Sequence, residues 1–156
     1  MCRGKLSCLC HLLRPAIDND KKEKLKSFFQ KSLNTELYHF LKASYELQEQ
    51  DDDEAFRASL RYLVTMFINH GAQQINLSYN NKHVFMTHYE AFIEGECTKV
   101  DMLKALTTLV QYIEKLSYLN LGTLDGFKDY LYQYHLNKDD KIENDHNHKT
   151  PKCALF

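Results

Sequence analysis

From Asp20 to Glu49 the apolar residues Leu25, Phe29, Leu33, Leu37, Phe40 and Leu47 recur at steps of three, four and seven. Lys22, Lys26, Lys31 and Lys42 fall mostly elsewhere on the helical wheel. Residues three or four apart share one face of an α-helix, so the spacing predicts one amphipathic helix over this stretch. The acidic run Asp51-Asp52-Asp53 follows, with Asp51 three residues before Glu54. It predicts a cap for the next helix, whose N-terminal dipole end favours negative charge. A calcium loop is disfavoured there, because the alternating ligands and the following Gly and Glu are missing.

Phe56, Leu60, Leu63, Val64, Phe67, Gly71 and Ile75 continue the same period and predict a second helix to about Tyr79. Gly71 either permits close helix contact or ends the first half of that helix. Asn80-Asn81 is the expected break. A third helix carries Val84, Phe85, Tyr89, Phe92 and Ile93, and Gly95 stands where a left-handed C-terminal cap belongs. Thr98 with Asp101 has the form of a capping box, with Asp for Glu, ahead of Met102, Leu103, Leu106, Val110, Ile113 and Leu116. That fourth helix is expected to stop near Gly122. Leu124, Phe127, Leu131 and Tyr134 predict a fifth, ending near Asn137.

The expected fold is therefore all-α: a single bundle of about five amphipathic helices over residues 18–137, with flexible termini. Only 5 Gly and 2 Pro punctuate the 156 residues, too few for a barrel or sandwich with many tight turns. A formal net charge of -1 gives no global basic field, which argues against nucleic acid as a partner.

The ends differ from the body. Residues 1–17 form a basic arm with Arg3, Lys5 and Arg14, the leucines Leu6, Leu9, Leu12 and Leu13, and the cysteines Cys2, Cys8 and Cys10. Two readings of it stand side by side. Either it lies on a membrane with its leucines inserted and its cysteines open to reversible acylation, or it is a leader or short helix packed on the body. Its leucine run is too short and too interrupted to span a bilayer. Residues 138–156 begin as a polar tether with mixed charge and almost no apolar residue. The five cysteines are an odd number and four of them lie in the arms, which speaks for a reducing compartment rather than a disulfide framework.

The tether ends in Cys153-Ala154-Leu155-Phe156, a cysteine, two aliphatic residues and a terminal Phe. This resembles the CaaX box of prenylated proteins, and the resemblance covers these four residues only. It implies that a protein prenyltransferase attaches a geranylgeranyl or farnesyl group to Cys153, terminal Phe favouring geranylgeranyl. In members of the class the last three residues are commonly removed and the new carboxylate methylated. One lipid gives marginal anchoring, so a second signal is expected, and the arm with Cys2, Cys8 and Cys10 is the place the sequence offers for it. The expected partners are thus a cytosolic membrane surface and an unidentified protein, with no other cofactor. A bacterial or viral protein delivered into a eukaryotic cell can use the same enzyme.

Within the body, Glu36 and His39 form Glu-x-x-His, the spacing of half a di-iron carboxylate site in helical bundles. Glu90, Glu94 and Glu114 supply further carboxylates without a histidine three residues on. This is the basis of the alternative function, a small helical metal protein or enzyme; a third is a soluble helical adaptor with an incidental terminal Cys. His83 and His88 are five apart and do not make a zinc pair, while His146 and His148 lie in the tether. Cys97 precedes the fourth helix, where a helix N-terminus lowers a thiol pKa. Tyr38, Tyr45, Tyr112 and Tyr118 do not all fall on the apolar stripes, and serve as edge-of-core residues or as a contact surface. On balance a non-enzymatic, lipid-anchored helical interaction module is expected.

Overall fold

The computed structural model describes residues 9–13, 17–71 and 73–133 of the chain. In order, its elements are α1 (Leu9–Leu12), α2 (Asn19–Lys31), α3 (Thr35–Gln48), α4 (Asp53–Leu63) continued by a π-helix (Val64–Ile68), α5 (Tyr79–Glu94) and α6 (Lys99–Leu121). Residues 127–133 are also helical, and no strand occurs among the described residues. The fold is all-α.

The first expected helix is two. α2 stops at Lys31 and α3 starts at Thr35, with a reversal at Ser32-Leu33-Asn34. The Asn34 N–H donates back to the Phe29 carbonyl at 3.0 Å and the Leu33 N–H to the Gln30 carbonyl at 3.1 Å. This nested pair is the Schellman ending of a helix, and its middle residue takes the left-handed conformation that normally selects glycine. Here that residue is Leu33, at φ +59°. The expectation failed because Leu33 keeps the helical period of its neighbours while its side chain is 87 % exposed.

α5 ends in the same way with the expected residue. Gly95, at φ +81°, donates to the Phe92 carbonyl, and the Glu96 N–H reaches back to Ala91 at 2.8 Å. The two endings differ in the residue at the left-handed position, a leucine that is strained there and a glycine that is not. At the other end of the next helix the expected capping box is present, with the Thr98 side chain accepting from the Asp101 N–H and the Asp101 carboxylate accepting from the Thr98 N–H. The acidic run caps α4 through Asp52 rather than Asp51, its carboxylate accepting from the Ala55 N–H at 2.7 Å.

The second expected helix ends earlier than its period suggests. After Ile68 the chain folds back over the π-helix, and the Ile75 N–H donates to the Phe67 carbonyl at 2.9 Å. Gly71 makes this return possible: a Cβ there would lie 2.2 Å from the Thr65 carbonyl oxygen and 2.5 Å from that of Met66. Ile75 is buried without being helical, which is why the apolar spacing ran on. α5 then begins at Tyr79, where the Ser78 hydroxyl accepts from the Asn81 N–H, so Asn80-Asn81 opens a helix instead of breaking one.

α6 is the shared wall of the bundle. It packs on α3 and α5, while α2 and α4 flank α3 and α1 packs on α2. Phe29, Phe40, Phe56, Leu60, Leu63, Met102, Leu106, Ile113 and Leu121 are buried at its centre. Each such side chain contributes about 1.5–3 kcal/mol on removal from water. Residues 127–133 close one side, with the Phe127 ring edge-on to Phe28 at 5.4 Å. The Tyr130 hydroxyl donates to the Lys21 carbonyl at 2.9 Å.

Of the two readings of the arm, the packed helix is the one seen for residues 9–13. Leu9, Leu12 and Leu13 are fully buried in the core, so they are not free to enter a bilayer while the bundle is intact. The Leu9 N–H donates to the Tyr118 hydroxyl on α6 at 3.0 Å.

Candidate functional site

Glu36 and His39 share a face of α3, as their spacing requires, and both are half-buried. The groups that act on the imidazole are cations. Burial first, then Lys26 on α2 and Lys42 on α3, hold its pKa below the ordinary histidine value. The ring also lies edge-on to Tyr38, with centroids 5.4 Å apart. A di-iron half-site wants carboxylates around the histidine, and no group of three or more His, Cys, Asp or Glu able to hold a metal ion occurs among the described residues. Of the further carboxylates, Glu90 and Glu94 lie on α5, and Glu114 on α6 accepts a hydrogen bond from the Tyr45 hydroxyl of α3.

Cys97 is half-buried and its thiol faces the His88 carbonyl, Sγ to O 3.6 Å. Burial, then the Asp101 carboxylate, pushes the thiol up. The lowering that a helix N-terminus can give is outweighed, first by burial of the thiol and then by the capping carboxylate of α6. The His88 Nδ1 lies 2.9 Å from the Val84 carbonyl, and His83 stacks on the exposed Tyr79 ring at 5.7 Å.

The tyrosines off the apolar stripes are mainly structural. Tyr38 and Tyr45 are buried, and Tyr118 accepts from Leu9. Burial, with Glu23 and Glu46 adding to it, raises the Tyr38 pKa. The large apolar side chains left in water include Leu33, Tyr79 and Leu119.

Leu33 is the surface feature that periodicity concealed. At the tip of the α2–α3 hairpin it is followed by Asn34, whose amide donates to the Ser32 carbonyl at 2.7 Å and makes no side-chain cap for α3. Lys31 lies over the Phe28 ring at 5.5 Å, and Lys26 of α2 and Lys42 of α3 are the cations that act on His39. From residue 26 to 42 there are three lysines, Lys26, Lys31 and Lys42, against one carboxylate, Glu36. Lys42 also reaches Glu46 at 3.9 Å. A lysine-flanked leucine in a glycine position was the available sequence signal, but only the hydrogen-bond pattern reveals that position.

The candidate lipidation sites Cys2, Cys8 and Cys153, the side chain of Cys10 and the whole terminal box to Phe156 lie outside the described residues. No helix among the described residues is long and apolar enough to cross a membrane. Compared with protein-family models and with curated proteins, the chain matches none.

Proposed function

We propose that the chain is a lipid-anchored helical interaction module on the cytosolic face of a membrane, held there by a prenyl group on Cys153. The terminal Cys153-Ala154-Leu155-Phe156 carries this reading. Attachment forms a thioether between the Cys153 sulfur and the prenyl carbon, with the prenyl diphosphate donor losing pyrophosphate. The helical body is the cargo, and its exposed aromatic and apolar side chains on α5, Tyr79 and Val84, are a surface for a protein partner.

A single prenyl chain anchors reversibly, so residence depends on a second contact. Acylation of Cys2, Cys8 or Cys10 supplies one in this scheme. The buried leucines of α1 favour acyl chains over leucine insertion as the arm's contribution. Fractionation of eukaryotic cells expressing the chain tests the reading. The native chain is expected in the membrane fraction and Cys153→Ser in the soluble fraction; equal distribution of the two defeats the proposal.

A further inference from the structure

We infer that two copies of the chain associate through the outward face of α5, antiparallel about Thr87, with His83 of each copy donating to Glu90 of the other. The inference deepens the interaction-module reading, in which exposed side chains of α5 meet a protein partner, and rests on it for its setting. It names that partner as a second copy.

α5 buries one face and leaves the other open. Phe85 and Phe92 are buried, Phe92 edge-on to Phe56 of α4 at 5.7 Å, and the helix packs on α6. At about 100° per residue, Asn80, His83, Val84, Thr87, Glu90 and Glu94 fall on the opposite side in one stripe centred on Thr87. All six are exposed. His83, Glu90 and Glu94 form no ion pair among the described residues. The Tyr79 ring, 83 % exposed, stacks on the imidazole of His83 with centroids 5.7 Å apart and so holds it at the surface. The Thr87 hydroxyl donates to the His83 carbonyl at 2.9 Å, so covering Thr87 strands no polar atom.

The stripe is its own complement only when reversed. Its N-terminal half holds the donors Asn80 and His83 and no carboxylate, while Glu90 and Glu94 stand in its C-terminal half. A two-fold axis through Thr87 sets Asn80 level with Glu94 of the second copy and His83 beside Glu90 of that copy. Residues seven apart differ by about 20° around a helix, so His83 and Glu90 share a side, and the axis brings like side to like side. An imidazole N–H donates to a carboxylate whether the ring is neutral or charged. Val84 and the half-buried Ala91 fill the seam beside Thr87. Each helix N-terminus then lies beside the other's C-terminus, the favourable order for their dipoles. Parallel copies would set carboxylate against carboxylate.

One helix face is smaller than the roughly 800 Å² per partner of a standard interface, so association is reversible, with a Kd on the order of 10 μM or weaker. A dimer carries two prenyl chains where one anchors marginally, which supplies a second contact from the folded body.

The test uses the 156-residue chain made in bacteria, which lacks prenyl transfer, in sedimentation velocity from about 5 to about 500 μM. A concentration-dependent dimer is expected. Glu90→Lys with Glu94→Lys should weaken it at least about tenfold, as should His83→Glu, because each contact is made twice. An equimolar mixture of these two variants should dimerise again, since one stripe then lacks carboxylates and the other is rich in them; variants that had lost their fold would not. Thr87→Cys, on the axis, should form a disulfide to itself under mild oxidation, mapped by mass against the five native cysteines. Asn80→Cys should not, because its two copies stand about 21 Å apart along the helices. A chain that stays monomeric across the range overturns the inference, as does a dimer indifferent to the charge variants or one linked by Asn80→Cys and not by Thr87→Cys. Each of these leaves the anchor reading standing, since fractionation of Cys153→Ser decides that separately.

Discussion

Replacing Leu33 by glycine should stabilise the protein, an unusual direction for a substitution that deletes a whole side chain. A left-handed conformation costs an L-residue about 1–2 kcal/mol, and glycine is free of that cost. Against this, glycine gives the unfolded chain more freedom, worth about 0.4–1 kcal/mol. Little burial is lost, because the leucine is 87 % exposed. The net expectation is a gain of about 0.5–1 kcal/mol. In urea unfolding, with a slope of about 2 kcal/mol/M, the midpoint should rise by about 0.3–0.5 M at unchanged slope. Gly95→Leu is the mirror experiment. Gly95 holds the equivalent position at φ +81° with nothing within 4 Å of a built Cβ, so it isolates the backbone term and should destabilise by about 0.5–2 kcal/mol. A fall in midpoint for Leu33→Gly, or no change for Gly95→Leu, would refute the assignment of both endings to the same left-handed motif.

Gly71→Ala should be worse than Gly95→Ala, costing about 2–4 kcal/mol in the same assay, because its Cβ meets the Thr65 carbonyl at 2.2 Å. Tyr118→Phe removes the acceptor of the Leu9 N–H and should cost about 1–2 kcal/mol. Limited proteolysis should then cut the N-terminal segment sooner, at little change elsewhere. His39 has a folded pKa below its unfolded value, so the unfolded state binds the proton more readily and stability falls as pH drops through the ordinary imidazole range near 6.5. His39→Gln should flatten that part of a pH series of unfolding midpoints, and an unchanged slope would remove Lys26, Lys42 and burial as its cause.

What the sequence displayed well were the features that rest on one local rule. The Thr98–Asp101 box and the Gly95 ending each follow from a residue type meeting a specific backbone need. What it hid came from apolar residues whose spacing is helical but whose surroundings are not. Leu33 and Ile75 both fit the stripe; the first is exposed in a turn and the second is buried in a returning segment. Periodicity cannot separate these cases, since it records composition along the chain and not which carbonyl each N–H reaches. The site was less legible still. Glu36 and His39 do share a face, but the cations that act on the imidazole come partly from α2, across a helix break that the period had closed.

Whether Cys153 carries a covalent anchor is read from the intact mass of the chain expressed in eukaryotic cells. A mass higher by one prenyl group is expected, after allowance for loss of the last three residues and methylation, with no such adduct on Cys153→Ser. An unmodified mass for the native chain refutes the anchor.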